Sequence, residues 1–495
     1  MKADKMEAKS AHILAWPFRF EMERKEMIKK VEEKGWVKKS LDFRDSKRKM
    51  QEEIDCFMLH QYLSLSARKI FIDKEKEAIC SIYQYPMIDE SNYQYIIKKK
   101  KEEYCLPIAT IELHIYDYGV GILFIQVWNE KKKEENGNEK EENEKKGYNI
   151  GKIKKINDWG RRVSIPYLAE DGLLCADCIG IRTDTDSHIT NFKDKVDNYF
   201  ENNEGIDELC EPAAFLYDIL NCDLETNDGS KDKKGLPFTN KEVIPFADDR
   251  MFLCSIIRDA GLSECIKNGT LNEELLYSIL FVDSGDASCQ NKEMRKKLLE
   301  DAVYARWSDY GTLYGVTSYS LFCITTDDVK ANVEPTVVRP FLLEYSYFIS
   351  LVLAQRIGMM SFTVRAEEII KNINKPRKIR RGSKKGMGYF QALKFSKIQA
   401  QYIDFKNRLL ILEASNQEQG IEIYKLLQKQ MLVKEEQEIL DGQLQSLYEA
   451  ANISVGNGIA KAGVLLSCVA LLPTLIEYFP TLTKMVKCIY NFFSK

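Results

Sequence analysis

The chain has 495 residues, of which 44% are hydrophobic and 30% charged, and its 72 Lys and Arg nearly balance 75 Asp and Glu. This length suits two to four domains rather than one small module, and the hydrophobic fraction excludes a disordered chain. The formal net charge of −3 gives no whole-molecule attraction to polyanions, so we expect no long nucleic acid as a partner.

Thirteen cysteines, an odd number, are scattered between Cys56 and Cys488. The opening residues MKADKMEAKS contain no apolar run of the kind that directs secretion. Cysteine is therefore expected as a small buried apolar residue in a reducing compartment. Cys175 and Cys178 have zinc-site spacing, but no second pair accompanies them, so we predict no metal site and no cofactor.

The first predicted elements are a strand over HILAWPFRF and a helix over residues 21–34, which Gly35 ends. Pro17 predicts that the strand lies at a sheet edge or ends there, because proline donates no ladder hydrogen bond. Residues 108–118 and 121–129 predict a β-hairpin that turns at Gly119. Residues 130–147 contain no apolar side chain, and we expect a disordered insertion.

Short apolar runs alternate with polar turns from residue 148 to residue 330. We therefore assign residues 1–330 to one α/β cytosolic domain. Residues 341–372 predict an apolar helix, which ends before Pro376.

A basic loop follows this helix, with seven cations and no acid between Lys375 and Lys385. Such a loop attracts phosphate groups, and a guanidinium engages phosphate with two hydrogen bonds. The candidate ligand-binding residues are Arg377, Arg380, Arg381 and Lys384. The alternative is a solvated connection between two helices.

The next segment predicts a long helix, since no proline occurs between Gly386 and Leu472. A heptad seam recurs within it, formed by Phe395, Ile398, Tyr402, Phe405, Leu409 and Leu412. If residues 387–452 form one stalk helix within a helical region over 335–455, its length is roughly 100 Å. We favour self-association into a homo-oligomer over an internal helical hairpin, and we place a candidate hinge near Gly420.

An apolar tail occupies residues 457–495, and its part over 462–476 carries no charge. This run is borderline for the roughly 20 residues that a bilayer span needs. The candidate membrane residues are Leu465, Leu466, Leu471, Leu472 and Glu477. We expect insertion into membrane lipid, with a tail docked on protein as the alternative.

No P-loop, dinucleotide fingerprint, H-E-x-x-H or G-x-S-x-G motif occurs in the sequence. We therefore expect a protein that is not an enzyme. The expected fold class is α+β, with an N-terminal α/β domain, a long stalk helix and a C-terminal apolar segment. The expected function is that of a ligand-gated, membrane-associated oligomer, and the alternative is a soluble interaction or scaffold protein.

This order of domains resembles the CorA superfamily of divalent-cation channels. Segments such as HIYDYGVGILFIQVW, FLLEYSYFISLVLAQR and FKNRLLILEASNQEQGIEIYKLL are similar to divergent CorA-like proteins that accompany type III CRISPR systems. The resemblance implies an antiviral effector of the inner membrane, gated by a nucleotide second messenger. The Gly-Met-Asn signature of the transporters is absent, and Gly358-Met359-Met360 precedes the long helix, so no ion-filter residue is assigned.

Overall fold

The computed structural model has a mixed α+β fold built on one large sheet. The expected α+β class is thereby confirmed, whereas the expected stalk helix and membrane segment are not. The structure describes residues 8–43, 50–72, 78–87, 92–129, 148–167, 173–202, 205–209, 211–224, 237–239, 241–246, 249–374 and 387–449.

The strands in chain order are β1 (Lys9–Phe20), β2 (Val37–Lys39), β3 (Cys80–Gln84), β4 (Gln94–Lys99), β5 (Glu102–Tyr116), β6 (Val120–Trp128), β7 (Cys178–Arg182), β8 (Ser187–Asn191), β9 (Val243–Pro245), β10 (Phe252–Arg258), β11 (Val303–Tyr304), β12 (Leu313–Thr317) and β13 (Ser320–Thr325). Their order across the sheet is β11-β12-β13-β10-β1-β6-β5-β4-β7-β8, while β3 also pairs with β5 and with β2, and β9 with β1. The β10–β13 pair is parallel, and the other described pairs are antiparallel.

The helices in chain order are α1 (Arg24–Glu33), α2 (Met50–Tyr62), α3 (Leu65–Phe71), α4 (Ile150–Gly160), α5 (Phe192–Asn202), α6 (Ile206–Leu209), α7 (Phe215–Leu220), α8 (Ala260–Lys267), α9 (Glu273–Leu280), α10 (Lys292–Ala302), α11 (Arg339–Asn374), α12 (Met387–Leu409) and α13 (Glu418–Gln430). A further helix, α14, covers 433–449. A π-helical turn over Glu334–Val338 leads into α11.

The predicted elements with strong local signals are confirmed. The hairpin forms from β5 and β6, and Gly119 has a φ of +76° in its turn. Helix α1 ends before Gly35, whose φ of +105° is the left-handed conformation that favours glycine after a helix. The apolar helix predicted over 341–372 is α11.

The predicted edge position of β1 is wrong, because β1 pairs with β10 on one side and β6 on the other. Pro17 is tolerated in this central strand through a gap in the pairing. On that side β10 reaches Ala15 and β9 begins at Phe18, so Pro17 has a partner only on β6. Proline has no N–H to donate, but at Pro17 this interrupts neither the pairing of β1 with β9 nor its pairing with β10.

The predicted single stalk helix over 387–452 is wrong, because the helix is broken twice within 387–449. α12 ends at Leu409, and α13 begins only at Glu418. A second break follows α13, where Leu432 has a φ of +54° that no α-helix contains. The roughly 100 Å rod expected from an unbroken helix is therefore not formed.

The chain divides into two compact units. The larger unit takes the chain through Ser361 together with Phe405–Glu436, and the smaller unit takes Phe362–Asp404 and the chain from Gln437 onward. Within the chain itself the seam is buried at Phe395, Ile398, Tyr402, Phe405 and Leu409, whereas Leu412 is 83% exposed. Because one chain covers most of the seam, the seam no longer argues for self-association.

The predicted disordered insertion over 130–147 lies outside the described residues. The chain on its two sides is held together at the end of the sheet. Tyr148 donates its backbone N–H to the Oδ1 of Asn129 at 3.0 Å, and Ala8 donates its own to the carbonyl of Tyr148 at 3.2 Å. The two residues that flank this segment, Asn129 and Tyr148, are therefore next to each other.

Candidate functional site

The residues that the sequence singled out lie outside the described part of the chain. Arg377, Arg380, Arg381 and Lys384 fall in residues 375–386. The membrane residues Leu465, Leu466, Leu471, Leu472 and Glu477 fall in residues 450–495. Both sets therefore stay predictions, and the site that the structure offers lies elsewhere.

A cavity of about 480 Å³, which we call the sheet–helix cavity, lies between the middle of the sheet and the beginning of α11. Lys39 and Glu112 line it from β2 and β5, and Phe124 lines it from β6. Arg339 and Tyr347 line it from α11. A bound molecule would thus contact the sheet and this helix together.

An ionic group forms the sheet side of the cavity. Lys39 Nζ lies 2.6 Å from the carboxylate of Glu112, whose other oxygen lies 3.5 Å from His114 Nε2. Burial favours an uncharged Glu112, but the charge of Lys39 and hydrogen bonds with His114 and Lys39 outweigh it, and the pKa of Glu112 falls to about 2. Burial lowers the pKa of His114, with Glu112 opposing the shift. At neutral pH the group is thus an ion pair beside a neutral imidazole.

The helix side of the cavity is attached to the fold by two contacts. Arg339 Nε lies 2.6 Å from the carboxylate of Asp55 on α2. Ser350 accepts or donates hydrogen bonds with His114 Nδ1 at 2.7 Å and with the hydroxyl of Tyr116 at 2.6 Å. Helix α11 is therefore tied to the residues of β5 that form the ionic group.

Two features of the sheet–helix cavity indicate the chemistry of its ligand. Its charged groups are paired, Lys39 with Glu112 and Arg339 with Asp55, so the cavity suits a neutral or zwitterionic molecule. The hydroxyl of Tyr347 is buried and lacks a hydrogen-bond partner among the described residues. A buried hydroxyl without a partner is costly, and a polar ligand would satisfy it.

One part of this site had a signal in the sequence. Thr110, Glu112 and His114 alternate with apolar residues along β5, which places three polar side chains on one face of a strand. The side chain of His114 is buried on that face. Lys39 and Arg339 have no comparable local signal.

A buried carboxyl group lies one turn into α11. Glu344 is 3% exposed, and its Oε2 has no hydrogen-bond partner within the described structure. Burial, partly opposed by Arg339, raises the pKa of Glu344 from 4.5 to about 8. The folded protein therefore holds this proton more tightly than the unfolded chain does.

Replacing Glu344 by glutamine should remove a pH-dependent loss of stability. Between pH 4.5 and about 8 the unfolded chain releases this proton while the folded protein keeps it, so the folded state loses stability as pH rises. At pH 7 Glu344→Gln should raise the free energy of unfolding by on the order of 3 kcal/mol, and near pH 4.5 by little. Urea titrations followed by tryptophan fluorescence at the two pH values measure this difference.

The matched control is Glu413→Gln, because the Glu413 side chain is exposed. Its effect on stability should be small at both pH values. A Glu344→Gln variant whose difference from the parent protein is the same at both pH values would contradict the assignment.

The break between α12 and α13 is held by the turn between α2 and α3. Ser64 donates its backbone N–H to the carbonyl of Ala414 at 2.9 Å, and Asn416 donates its own to the carbonyl of Tyr62 at the same distance. Ser415 donates through Oγ to the carbonyl of Tyr62 at 3.0 Å. These bonds satisfy backbone groups that an interrupted helix leaves open.

Helix α13 is fixed from the other side by the end of α10 and the chain that follows it. Arg306 forms ion pairs of 2.7 Å with Glu418 and with Glu422, and Lys429 pairs with Asp301. Gly420 itself is buried, and a Cβ there would lie 2.5 Å from Ser415 Oγ. Around Gly420, where the sequence placed a candidate hinge, hydrogen bonds and ion pairs therefore hold the chain on both sides.

One helix within the described residues, Glu334–Glu368, is long and apolar enough to cross a bilayer, with a mean hydropathy of 1.4. In the most apolar 18-residue stretch of this helix, 67% is buried inside the protein. Such a helix fits the core of a globular protein as well as it fits a membrane span. The described ranges hold no group of three or more His, Cys, Asp or Glu arranged to bind a metal.

Comparisons of the chain with protein-family models, with curated proteins and with solved structures found no match.

Proposed function

We propose that this protein is a ligand-responsive effector whose sheet domain binds a small polar molecule and whose apolar tail acts on a membrane. The observation that carries the proposal is the sheet–helix cavity, because its walls come from both the sheet and the first turns of α11. Helix α11 is 36 residues long and runs without interruption from these turns to Asn374. A ligand in the cavity thus contacts a helix that extends well beyond it.

A ligand changes the state of a protein only if it binds one arrangement better than another. In the sheet–helix cavity such a preference would arise from contacts that involve both walls, such as a hydrogen bond to the Tyr347 hydroxyl together with one to Glu112 or Lys39. Movement of α11 against β5 would break the contacts of Ser350. Ligand binding would therefore act by changing the position of α11 relative to β5.

The membrane half of the proposal is supported by the sequence. Residues 462–476 are uncharged, and the cationic residues of the basic loop suit an anionic lipid surface or a nucleotide. The resemblance to CorA-like proteins adds a homo-oligomeric channel of the inner membrane that acts in antiviral defence in response to a nucleotide second messenger. Such an anionic messenger would bind at the basic loop rather than in the sheet–helix cavity, whose charges are paired.

Placing two arginines in the tail tests the membrane half. Leu466→Arg together with Leu471→Arg should move the full-length protein from the membrane fraction to the supernatant, since each arginine near the centre of a span costs about 2.5–3.5 kcal/mol. Carbonate-washed membranes, floated on a density gradient to separate them from aggregates, give the bound fraction.

The control carries the same two charges outside the apolar run, as Ser454→Arg and Ser494→Arg. It should stay with the membranes, as the parent protein should. Parent protein in the supernatant, or the same distribution for all three proteins, would refute the membrane half.

The ligand half is tested by filling the cavity. Ser346 lines the sheet–helix cavity, and Ser346→Trp should occupy it. The full-length protein is incubated with the small-molecule fraction of its expression host, re-purified, denatured and analysed by mass spectrometry. A compound retained by the parent and by the exposed-site control Ser187→Trp, but lost from Ser346→Trp, is the expected result. No retained compound, or equal retention by all three, would remove the cavity as the ligand site.

A second candidate function is a soluble interaction or scaffold protein with a docked C-terminal helix. The observation that favours it is the 67% burial of the most apolar helix within the described residues. The seam of α12 is also covered within one chain. Parent protein in the supernatant of the fractionation above would select this candidate.

A further inference from the structure

A second cavity, of about 340 Å³, lies in the larger unit away from α11, and we call it the arginine cavity. Arg161 and Arg162 enter it just after the end of α4, and Arg250 enters it just before β10. Tyr319 from the β12–β13 turn and the loop of residues 281–288 complete its wall. Three guanidinium groups thus surround one cavity. Arginine is the residue type that proteins favour for binding oxyanions.

The backbone fixes the three arginines relative to one another. Residues Arg162 and Arg250 face each other in an antiparallel bridge. Met251 donates its N–H to the carbonyl of Arg161 at 2.7 Å, and Val163 donates its own to the carbonyl of Asp249 at 2.8 Å. The cluster is therefore assembled by the fold before any ligand arrives, which lowers the entropy cost of binding.

Arg161 is the unusual member of the cluster. Its side chain is among the largest fully buried ones, at 2% exposure, and neither Nε nor Nη1 has a hydrogen-bond acceptor among the described residues. Its guanidinium lies 4.6 Å from the centre of the Tyr319 ring. Burial, and then the neighbouring Arg250, lower the pKa of Arg161 to about 10, so at neutral pH it carries its charge.

Three carboxylates, those of Asp158, Asp283 and Asp286, also line the cavity, and the other two arginines pair with Asp158 and Asp249. Arg162 pairs with Asp158 at 3.1 Å and with Asp249 at 2.8 Å, and Arg250 pairs with Asp249 at 3.2 Å. In the loop, Asp283 accepts the backbone N–H of Ser288 at 2.7 Å, and Asp286 lies on an exposed stretch. The buried charge of Arg161 is thus left without an ion-pair partner among these groups.

Two other partners of Arg161 fall short of what a buried cation requires. The carbonyl end of α4 provides a partial negative charge, but it is worth at most ~2 kcal/mol. Water would accept the hydrogen bonds without neutralising the charge. An oxyanion would do both, with several acceptor oxygens for a planar guanidinium.

We propose that the arginine cavity binds the phosphate group of a small ligand, either a phosphate ester or free phosphate, through Arg161 and Arg250. This site is separate from the sheet–helix cavity and does not rest on the function proposed above. The ring of Tyr319 lies against the guanidinium groups of both Arg161 and Arg250 and gives them an apolar surface on which to stay ordered.

Isothermal titration calorimetry on the full-length protein tests the site, with inorganic phosphate, adenosine monophosphate and adenosine as three probes at constant ionic strength. Inorganic phosphate should bind, and Arg161→Gln should weaken it by about tenfold or more. The control Arg182→Gln removes an exposed arginine that pairs with Glu103, and it should leave binding unchanged. Tighter binding of the monophosphate than of phosphate, without binding of adenosine, would identify an ester as the ligand class.

Arg250→Gln keeps the test valid if Arg161→Gln fails to fold, because the Arg250 side chain is 29% exposed and its loss leaves no buried hole. It should weaken phosphate binding in the same direction. Absence of phosphate and monophosphate binding in the parent protein would overturn the proposal and leave water as the occupant. Equal binding by the parent and by both cavity variants would overturn it as well.

Discussion

Replacing Gln355 by leucine should lower the free energy of unfolding of the larger unit by about 3 kcal/mol. Gln355 is fully buried on α11, and its Nε2 donates to the carbonyl of Leu409 and to the hydroxyl of Tyr424, both at 2.8 Å. Its Oε1 accepts from Nε2 of Gln428 at 3.1 Å. Leucine has a similar volume but makes none of these three hydrogen bonds. The carbonyl of Leu409 keeps the N–H of Ile411 as a partner, and Tyr424 and Gln428 keep the carbonyl of Ile411. The cost is therefore that of three lost hydrogen bonds, at about 0.5–1.5 kcal/mol each.

The five tryptophans make this measurement specific. Trp16, Trp36, Trp128, Trp159 and Trp307 all belong to the larger unit, so their fluorescence in a urea titration follows that unit. Hydrogen exchange should accelerate most at residues 409–417, because Gln355 holds the carbonyl at which α12 ends.

The control for Gln355→Leu is Gln430→Leu, which makes the same substitution where the glutamine has one exposed hydrogen bond, to the carbonyl of Asp301. Its cost should stay below about 1 kcal/mol. The double variant Gln355→Leu with Tyr424→Phe should lose less stability than the sum of its parts, since the two side chains share one bond. Equal costs for Gln355→Leu and Gln430→Leu would mean that the buried network does not hold the break.

Gly358→Ala should also destabilise the larger unit, by about 2 kcal/mol, although alanine favours a helix over glycine by about 1 kcal/mol. A Cβ at Gly358 would lie 2.4 Å from Cε2 of the Phe405 ring. Phe405 is fully buried, so its ring has nowhere to move without shifting α12 or α11. The steric cost should therefore exceed the gain in helix propensity.

Gly151→Ala is the matched control in the same unit, because Gly151 lies in α4 and a Cβ there would make an ordinary contact of 3.6 Å with Asn149. This variant should be neutral or more stable by up to about 1 kcal/mol. Urea titration with tryptophan fluorescence again gives both values. A stabilising effect of Gly358→Ala would show that α11 and α12 can separate there at no cost.

Local signals explain which elements could be predicted from the sequence. The β5–β6 hairpin and the end of α1 depend on residues that are neighbours in the chain, so turn glycines and alternating apolar residues identify them. The end of α12 depends instead on hydrogen bonds between Ala414 or Asn416 and residues 62–64, which are remote in sequence. Nothing in a proline-free helical pattern reports such a partner.

The site could be predicted only where its residues share one strand. Thr110, Glu112 and His114 form a pattern on β5, but Lys39 reaches Glu112 from 73 residues away, and Arg339 reaches Asp55 from 284 residues away. The same holds for the arginine cavity, where Arg161 and Arg250 come from separate segments. Pairing across the sheet determines these neighbours, and one sequence does not encode that order in any local pattern.

The division of the chain determines when the sheet domain can be completed during synthesis. Its last part, Phe405–Glu436, is made only after residues 362–404, which belong to the other unit. Until α13 emerges from the ribosome, Arg306 lacks Glu418 and Glu422, and the turn between α2 and α3 lacks Ala414. The larger unit therefore has its full set of contacts only after Phe405–Glu436 has been synthesised, although most of its residues precede Phe362.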